Sequence, residues 1–242
     1  MDAGSNTVTS FRITAGGLSR IGTVPSGSTP ISVAVHGDRL YALSGAGTGP
    51  AQVAVTPEGN QLVITKKATN LINVITLDAA GRPTSLTAVA SAGAVPFGFD
   101  FDNKGHLLVS EAAVSTASSY DVADAGLTTI SASIATTENA ACWLVATNTG
   151  KYAYTGNGGG SLSISGFRVR KDASLALLTP GGKTGVTPAG VSDLALSRNS
   201  QFLYGRLGNG SVAGFTVNHD GSLTAAGVAG GLPAGAAGIA AV

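Results

Sequence analysis

A single cysteine, Cys142, leaves no partner for an intramolecular disulfide, and no set of Cys and His residues stands at ligand-like spacing for zinc. Charge is scarce as well. Charged residues make up 11% of the chain, the formal net charge is +1, and no basic run exists, so the electrostatic footprint of a nucleic-acid binder is missing. Aromatics are few, and no stretch of about 18 apolar residues occurs, so no membrane span is expected. Met1–Ser5 carries neither a charged leader nor an apolar signal core. Two locations stay open: extracytoplasmic with the signal removed, or cytoplasmic. No cofactor motif stands out, and none is expected.

Glycine is abundant instead, at 35 residues, within a chain of positive mean hydropathy. This suits turn-rich sheets and argues against disorder. A short phrase recurs: a small residue, an aromatic, then a Val or Ile two positions on, followed by a turn and Leu. It occurs around Phe11, Tyr120, Phe167 and Phe215, with a weaker copy around Ile75. A second phrase interleaves with it. Strands beginning at Ile31, Gln52, Gly98, Cys142 and Asp193 each lead through a Gly-, Asn- or Asp-bearing turn into Leu40-Tyr41, Leu62-Val63, Leu107-Leu108, Tyr152-Ala153 and Phe202-Leu203. Such turns need positive φ, which these residue types tolerate. A period in the mid-forties, carrying four strands (A, B, C, D), is the signature of a β-propeller blade. The expected fold is all-β, one propeller domain over residues 1–242 with about five blades' worth of chain.

The phase breaks in one place. Two inner pairs follow each other around Leu43 and Ala51, so an outer C and D pair is missing there, and the expectation is that segments of a longer propeller are omitted. Residues 235–242 read as an A strand.

The phase also assigns faces. A–B and C–D turns lie on one face, which takes His36, His106 and His219 away from the ligand-binding funnel. B–C and D–A loops lie on the other. Lys66, Glu111, Asn157 and Arg206 fall in or next to B–C loops, and Glu138 and Asp193 in D–A loops. In a chain so poor in charge these are the candidate ligand contacts for a small molecule or a protein at the funnel face. Cys142, beside Trp143 in an apolar strand, is expected to be buried and inert. The four marker aromatics Phe11, Tyr120, Phe167 and Phe215 are expected to pack between neighbouring sheets.

The phrases Ser165-Gly166-Phe167-Arg168-Val169 with Leu175-Ala176-Leu177-Leu178-Thr179, Asp193-Leu194-Ala195-Leu196-Ser197 with Phe202-Leu203-Tyr204, and Thr56-Pro57-Glu58-Gly59 resemble the lactonase-type β-propellers. That group includes bacterial 6-phosphogluconolactonase and the fungal carboxymuconate cyclase. The resemblance covers nearly the whole chain and implies seven blades, with funnel-facing His, Arg and Glu in the active members. Arg206 and Glu111 are the counterparts here; no histidine is. Two readings are open. The first is a non-catalytic binding module. The alternative is a lactonase-like hydrolase or cyclase on a small carboxylate or lactone, with Arg206 gripping charge and Glu111 as base. No constellation for pyrroloquinoline quinone is visible.

Overall fold

The computed structural model describes every residue except 234, 235 and 242. Among the described residues there are 21 strands and no helix. They form two compact units, Met1–Val89 and Ala90–Val242.

The first unit opens with a hairpin of β1 (Thr7–Thr14) and β2 (Gly17–Pro25), followed by a second hairpin of β3 (Pro30–His36) and β4 (Arg39–Ser44). Then comes a four-stranded antiparallel sheet of β5 (Pro50–Val55), β6 (Gln61–Lys66), β7 (Leu71–Leu77) and β8 (Pro83–Ala90). In the second unit, β9 (Pro96–Phe101), β10 (Leu107–Glu111), β11 (Thr116–Ala123) and β12 (Gly126–Ala135) make the next sheet. It is followed by β13 (Ala141–Ala146), β14 (Tyr152–Asn157), β15 (Ser163–Val169) and the short β16 (Leu175–Leu177), with β17 (Gly185–Val186) also paired to β15. The last sheet is β18 (Val191–Leu196), β19 (Phe202–Leu207), β20 (Val212–Val217) and β21 (Leu223–Ala229).

Each four-stranded sheet is a propeller blade in A–B–C–D order, and every A, B and C strand lies where the two interleaved phrases place it. The missing outer pair is also plain: β4 runs into β5 with no C or D strand between them. The segment read as a closing A strand is not one. Its described residues 236–241 form no strand, and Gly235 and Val242 lie outside the described residues.

One local device sets the A–B turns. Thr56, Asp102, Thr147 and Ser197 follow their A strands directly, and all four are buried. Each side-chain oxygen accepts the backbone N–H at, or one residue before, the start of the B strand: Gln61 at 3.2 Å, His106 at 3.0 Å, Tyr152 at 3.2 Å and Phe202 at 3.0 Å. Short polar side chains bend the chain this way because they replace a backbone acceptor.

The cores lie between sheets. Leu108 and Ala117 of one blade pack with Leu144, Ala153, Phe167, Val169 and Leu175 of the next. Tyr152, Tyr154 and Ile164 face Val191, Leu194, Leu203, Leu207, Ala213 and Phe215. In the first unit Ala34 of β3 joins Val53, Leu62 and Leu77. Tyr120, Phe167 and Phe215 are buried as expected, but Phe11 is 48% exposed. The expectation fails at Phe11 because β1 pairs only with β2, so no B strand flanks the ring.

Candidate active site

In the second unit, the ends of β13 and β18 open into a cleft of about 700 Å³. Phe97, Cys142, Trp143 and Ser192 line it, together with Gly158, Gly190 and Asn209. Phe97, Cys142 and Ser192 hold the same position in consecutive A strands, as the ladder registers show. In β13 and β18 this position falls at the irregularity of the A–B ladder, so successive blades bring equivalent side chains to this end. Phe97 and Trp143 meet edge to face, with ring centroids 5.2 Å apart. The wall is tight: a Cβ on Gly190 would lie 2.8 Å from the carbonyl oxygen of Gly158, so only glycine fits there.

Behind Ser192 stands Arg206 of β19. Its Nη1 donates to Ser192 Oγ at 2.7 Å, and Ser192 Oγ donates to the Arg206 carbonyl at 3.0 Å. Arg206 Nε is buried with no hydrogen-bond partner. Asp193 lies directly across the ladder from Arg206. Its Oδ1 accepts from Leu194 N and its Oδ2 from Ile239 N, both at 2.8 Å. Burial raises the Asp193 pKa, against the opposing pull of those two N–H groups and of Arg206.

The other candidates fall elsewhere. Glu111 ends β10 and is fully buried, not loop-exposed. Its Oε1 accepts from Gly93 N at 3.0 Å, Ser91 Oγ at 3.4 Å and Ser118 Oγ, and its Oε2 from Thr116 Oγ1. Asn157 holds the equivalent position in the next blade, again buried, and its Nδ2 donates to Ser163 Oγ and Ser165 Oγ at 3.0 and 2.9 Å. Ser163 Oγ passes a hydrogen bond on to Glu138 Oε2 at 3.0 Å, and Lys183 Nζ stands 3.9 Å from that oxygen. The fold therefore brings Asn157 to Glu138, and Asp193 to Arg206. Lys66 ends β6 in the first unit. The histidines occupy the expected turns: His36 closes β3, His106 Nδ1 lies 2.8 Å from Asp102 Oδ2, and the His219 carbonyl accepts from Tyr152 Oη.

Cys142 corrects its expectation, being half-buried and cleft-lining. Just past β14 it meets Gly158, where a Cβ would lie 3.7 Å from the Cys142 sulfur. Ser192 was missed by sequence reading. The signal was available, since Ser192 directly precedes Asp193 at the start of an A strand.

The model of the family described as Lactonase, 7-bladed beta-propeller matches residues 4–124, half of the chain. The chain belongs to that family. No curated protein sequence matches it. Among solved structures, this lactonase-family propeller is similar to a protein from Lactobacillus plantarum at 22% identity and TM-score 0.75, covering 92% of this chain and 77% of that one. A candidate 6-phosphogluconolactonase from Bacteroides uniformis aligns at 18% identity and TM-score 0.74, covering 92% and 78%. The periplasmic gluconolactonase of Pseudomonas aeruginosa aligns at 15% and 0.68, covering 91% and 78%. At these identities the likeness concerns the fold. The family's seven blades compare with three four-stranded blades, one five-stranded blade and two hairpins among the described residues here. No helix among the described residues is long and apolar enough to cross a membrane.

Proposed function

We propose that this chain acts as a lactonase-like hydrolase on a small lactone bearing a carboxylate, in a single propeller domain over residues 1–242. Family membership favours this reading over a non-catalytic binding module. Arg206 carries it within the site: its guanidinium holds the cleft-lining Ser192, and its buried Nε finds no partner in the protein. Buried donors without partners are rare and call for an explanation.

In this reading the lactone ring rests on the Phe97–Trp143 wall. Arg206 and Ser192 hold negative charge, either the substrate carboxylate or the oxyanion that develops as water adds to the lactone carbonyl. A guanidinium suits this because it offers parallel donors with a fixed charge. Asp193 is the base that takes the proton of the attacking water, since its pKa is raised towards the working range of a general base. The ring C–O bond then breaks, and the ring oxygen takes the proton held by Asp193 to leave as the hydroxyl of the open-chain acid. Glu111, fully buried and tied by four donors outside the residues that line the cleft, serves packing.

The test is hydrolysis across a panel of aldonolactones and carboxylated lactones. Arg206→Lys should lose most of its turnover. Asp193→Asn should abolish turnover, and in the unmodified protein kcat should rise with pH through a carboxylate pKa above the ordinary range. If the unmodified protein binds a lactone but turns none over, the binding-module reading takes its place. If it neither binds nor hydrolyses any of them, the proposal is wrong.

A further inference from the structure

The two hairpins of the first unit are complementary halves. β3–β4 is an A–B pair without C and D; β1–β2 is a C–D pair without A and B. Every complete blade joins B to C antiparallel, and the same two positions oppose each other each time: Leu62 with Ile75, Leu107 with Tyr120, Ala153 with Phe167, and Leu203 with Phe215. In the incomplete halves the equivalent residues are Leu40 of β4 and Phe11 of β1, as the pairing of Val33 with Ala42 beside Val53 with Ile64 establishes.

Burial separates the complete blades from the halves. Leu62, Leu107 and Leu203 are at most 4% exposed, and Tyr120, Phe167 and Phe215 at most 3%. Leu40 is 44% exposed and Phe11 48%. Ile13, Leu18 and Ile21 on β1–β2 and Val35 on β3 are exposed with them. Unpaired edges of this kind are templates for another strand.

We propose that two copies of this chain complete each other, β4 of each pairing with β1 of its partner so that Phe11 lies across from Leu40. The occupant is a second copy because each copy carries both the strand edge that is short of a partner and the strand that fits it. Pairing within one copy is opposed by the link. A completed sheet sets β2 three strand spacings, about 14 Å, from β3, which the link of residues 26–29 reaches only when drawn out nearly straight. Hydrogen bonds pin that link: Ser26 N to Asn6 O at 2.8 Å, Thr29 N to Asn6 Oδ1 at 2.7 Å and Gly45 N to Thr29 O at 2.8 Å. The same register puts Arg12 opposite Arg39. Like charges facing across a ladder weaken it, so association should tighten with added salt and with Arg12→Glu.

The experiment mixes two single-cysteine proteins, Phe11→Cys and Leu40→Cys, each in a Cys142→Ser background, under mild oxidation. Side chains facing across a ladder are close enough for a disulfide. The expected product is a reducible species of twice the 23.7 kDa chain mass, forming on mixing. Light scattering of the unmodified protein should show the mass doubling with concentration, at several-fold lower concentration for Arg12→Glu. A single-chain mass throughout with no mixed cross-link would overturn the proposal. So would a cross-link that forms only within one chain of the Phe11→Cys, Leu40→Cys double variant.

Discussion

Phe167→Ala and Phe11→Ala alter the same repeat position and should differ sharply in cost. Phe167 is fully buried between two sheets, against Leu108, Ala117, Leu144, Ala153 and Leu175. Removing its ring forfeits about 2–3 kcal/mol of transfer free energy. The cavity left between strands that cannot collapse brings the total to about 3–5 kcal/mol. Phe11 is 48% exposed on a two-stranded hairpin, so in the monomer its truncation should cost under about 1 kcal/mol. A urea melt followed by Trp143 fluorescence reads the second unit directly, and far-UV circular dichroism covers the first. With an m-value of about 3 kcal/mol/M, a loss of about 4 kcal/mol lowers the midpoint by about 1.3 M. The melts belong at dilute concentrations where the chain is monomeric. A Phe167→Ala cost below about 1 kcal/mol, or a Phe11→Ala cost equal to it, would refute the assignment of the core to the space between blades.

Burial raises the Asp100 pKa to about 6, against hydrogen bonds from Ala146 N and Phe101 N. The folded state then holds the proton more tightly than the unfolded chain, so stability should fall by on the order of 2 kcal/mol as pH rises from about 4 to about 6; Asp100→Asn should flatten that slope in melts across this range. Glu111→Gln sets an amide donor among groups that already donate and should cost about 1–3 kcal/mol in thermal or urea melts. No loss would mean that the carboxylate is not held as described. Gly98→Ala should cost about 2 kcal/mol or more, because its Cβ would lie 2.7–2.8 Å from the backbone of Cys142, Trp143 and Leu144; a neutral melt would show that β9 and β13 can move apart. Thiol reagent should label Cys142 in the folded protein, and a bound lactone should slow it; labelling only after unfolding would contradict the open cleft.

Blade phase was legible in the sequence because it is local. Period-two strands and turn residues each act within a few residues, so Val53, Phe99, Leu144 and Leu194 could be placed on inner strands without a partner in view. What failed depended on neighbours. Phe11 obeys the same pattern as Phe167, but its burial needs strands that lie elsewhere in the chain. Glu111 looks like a loop charge until Ser91, Gly93, Thr116 and Ser118 arrive from two other segments. The Arg206–Ser192 contact is a cross-strand event at a bulge between Val191 and Asp193, which a lone sequence does not mark.

Because the apolar clusters sit between sheets, no blade owns a core. Strand β14 is shared in this way: Tyr152 and Tyr154 belong to the cluster on one side, and Ala153 to the cluster on the other. A blade of this kind has no independent existence as a folding unit; its stability is a nearest-neighbour quantity, as in linear repeat arrays. Opening β14 alone would break two interfaces at once, whereas opening β21, exposed along most of its length, breaks one at most. The amides of β14 therefore exchange with solvent only when both clusters come apart, and those of β21 exchange by fraying.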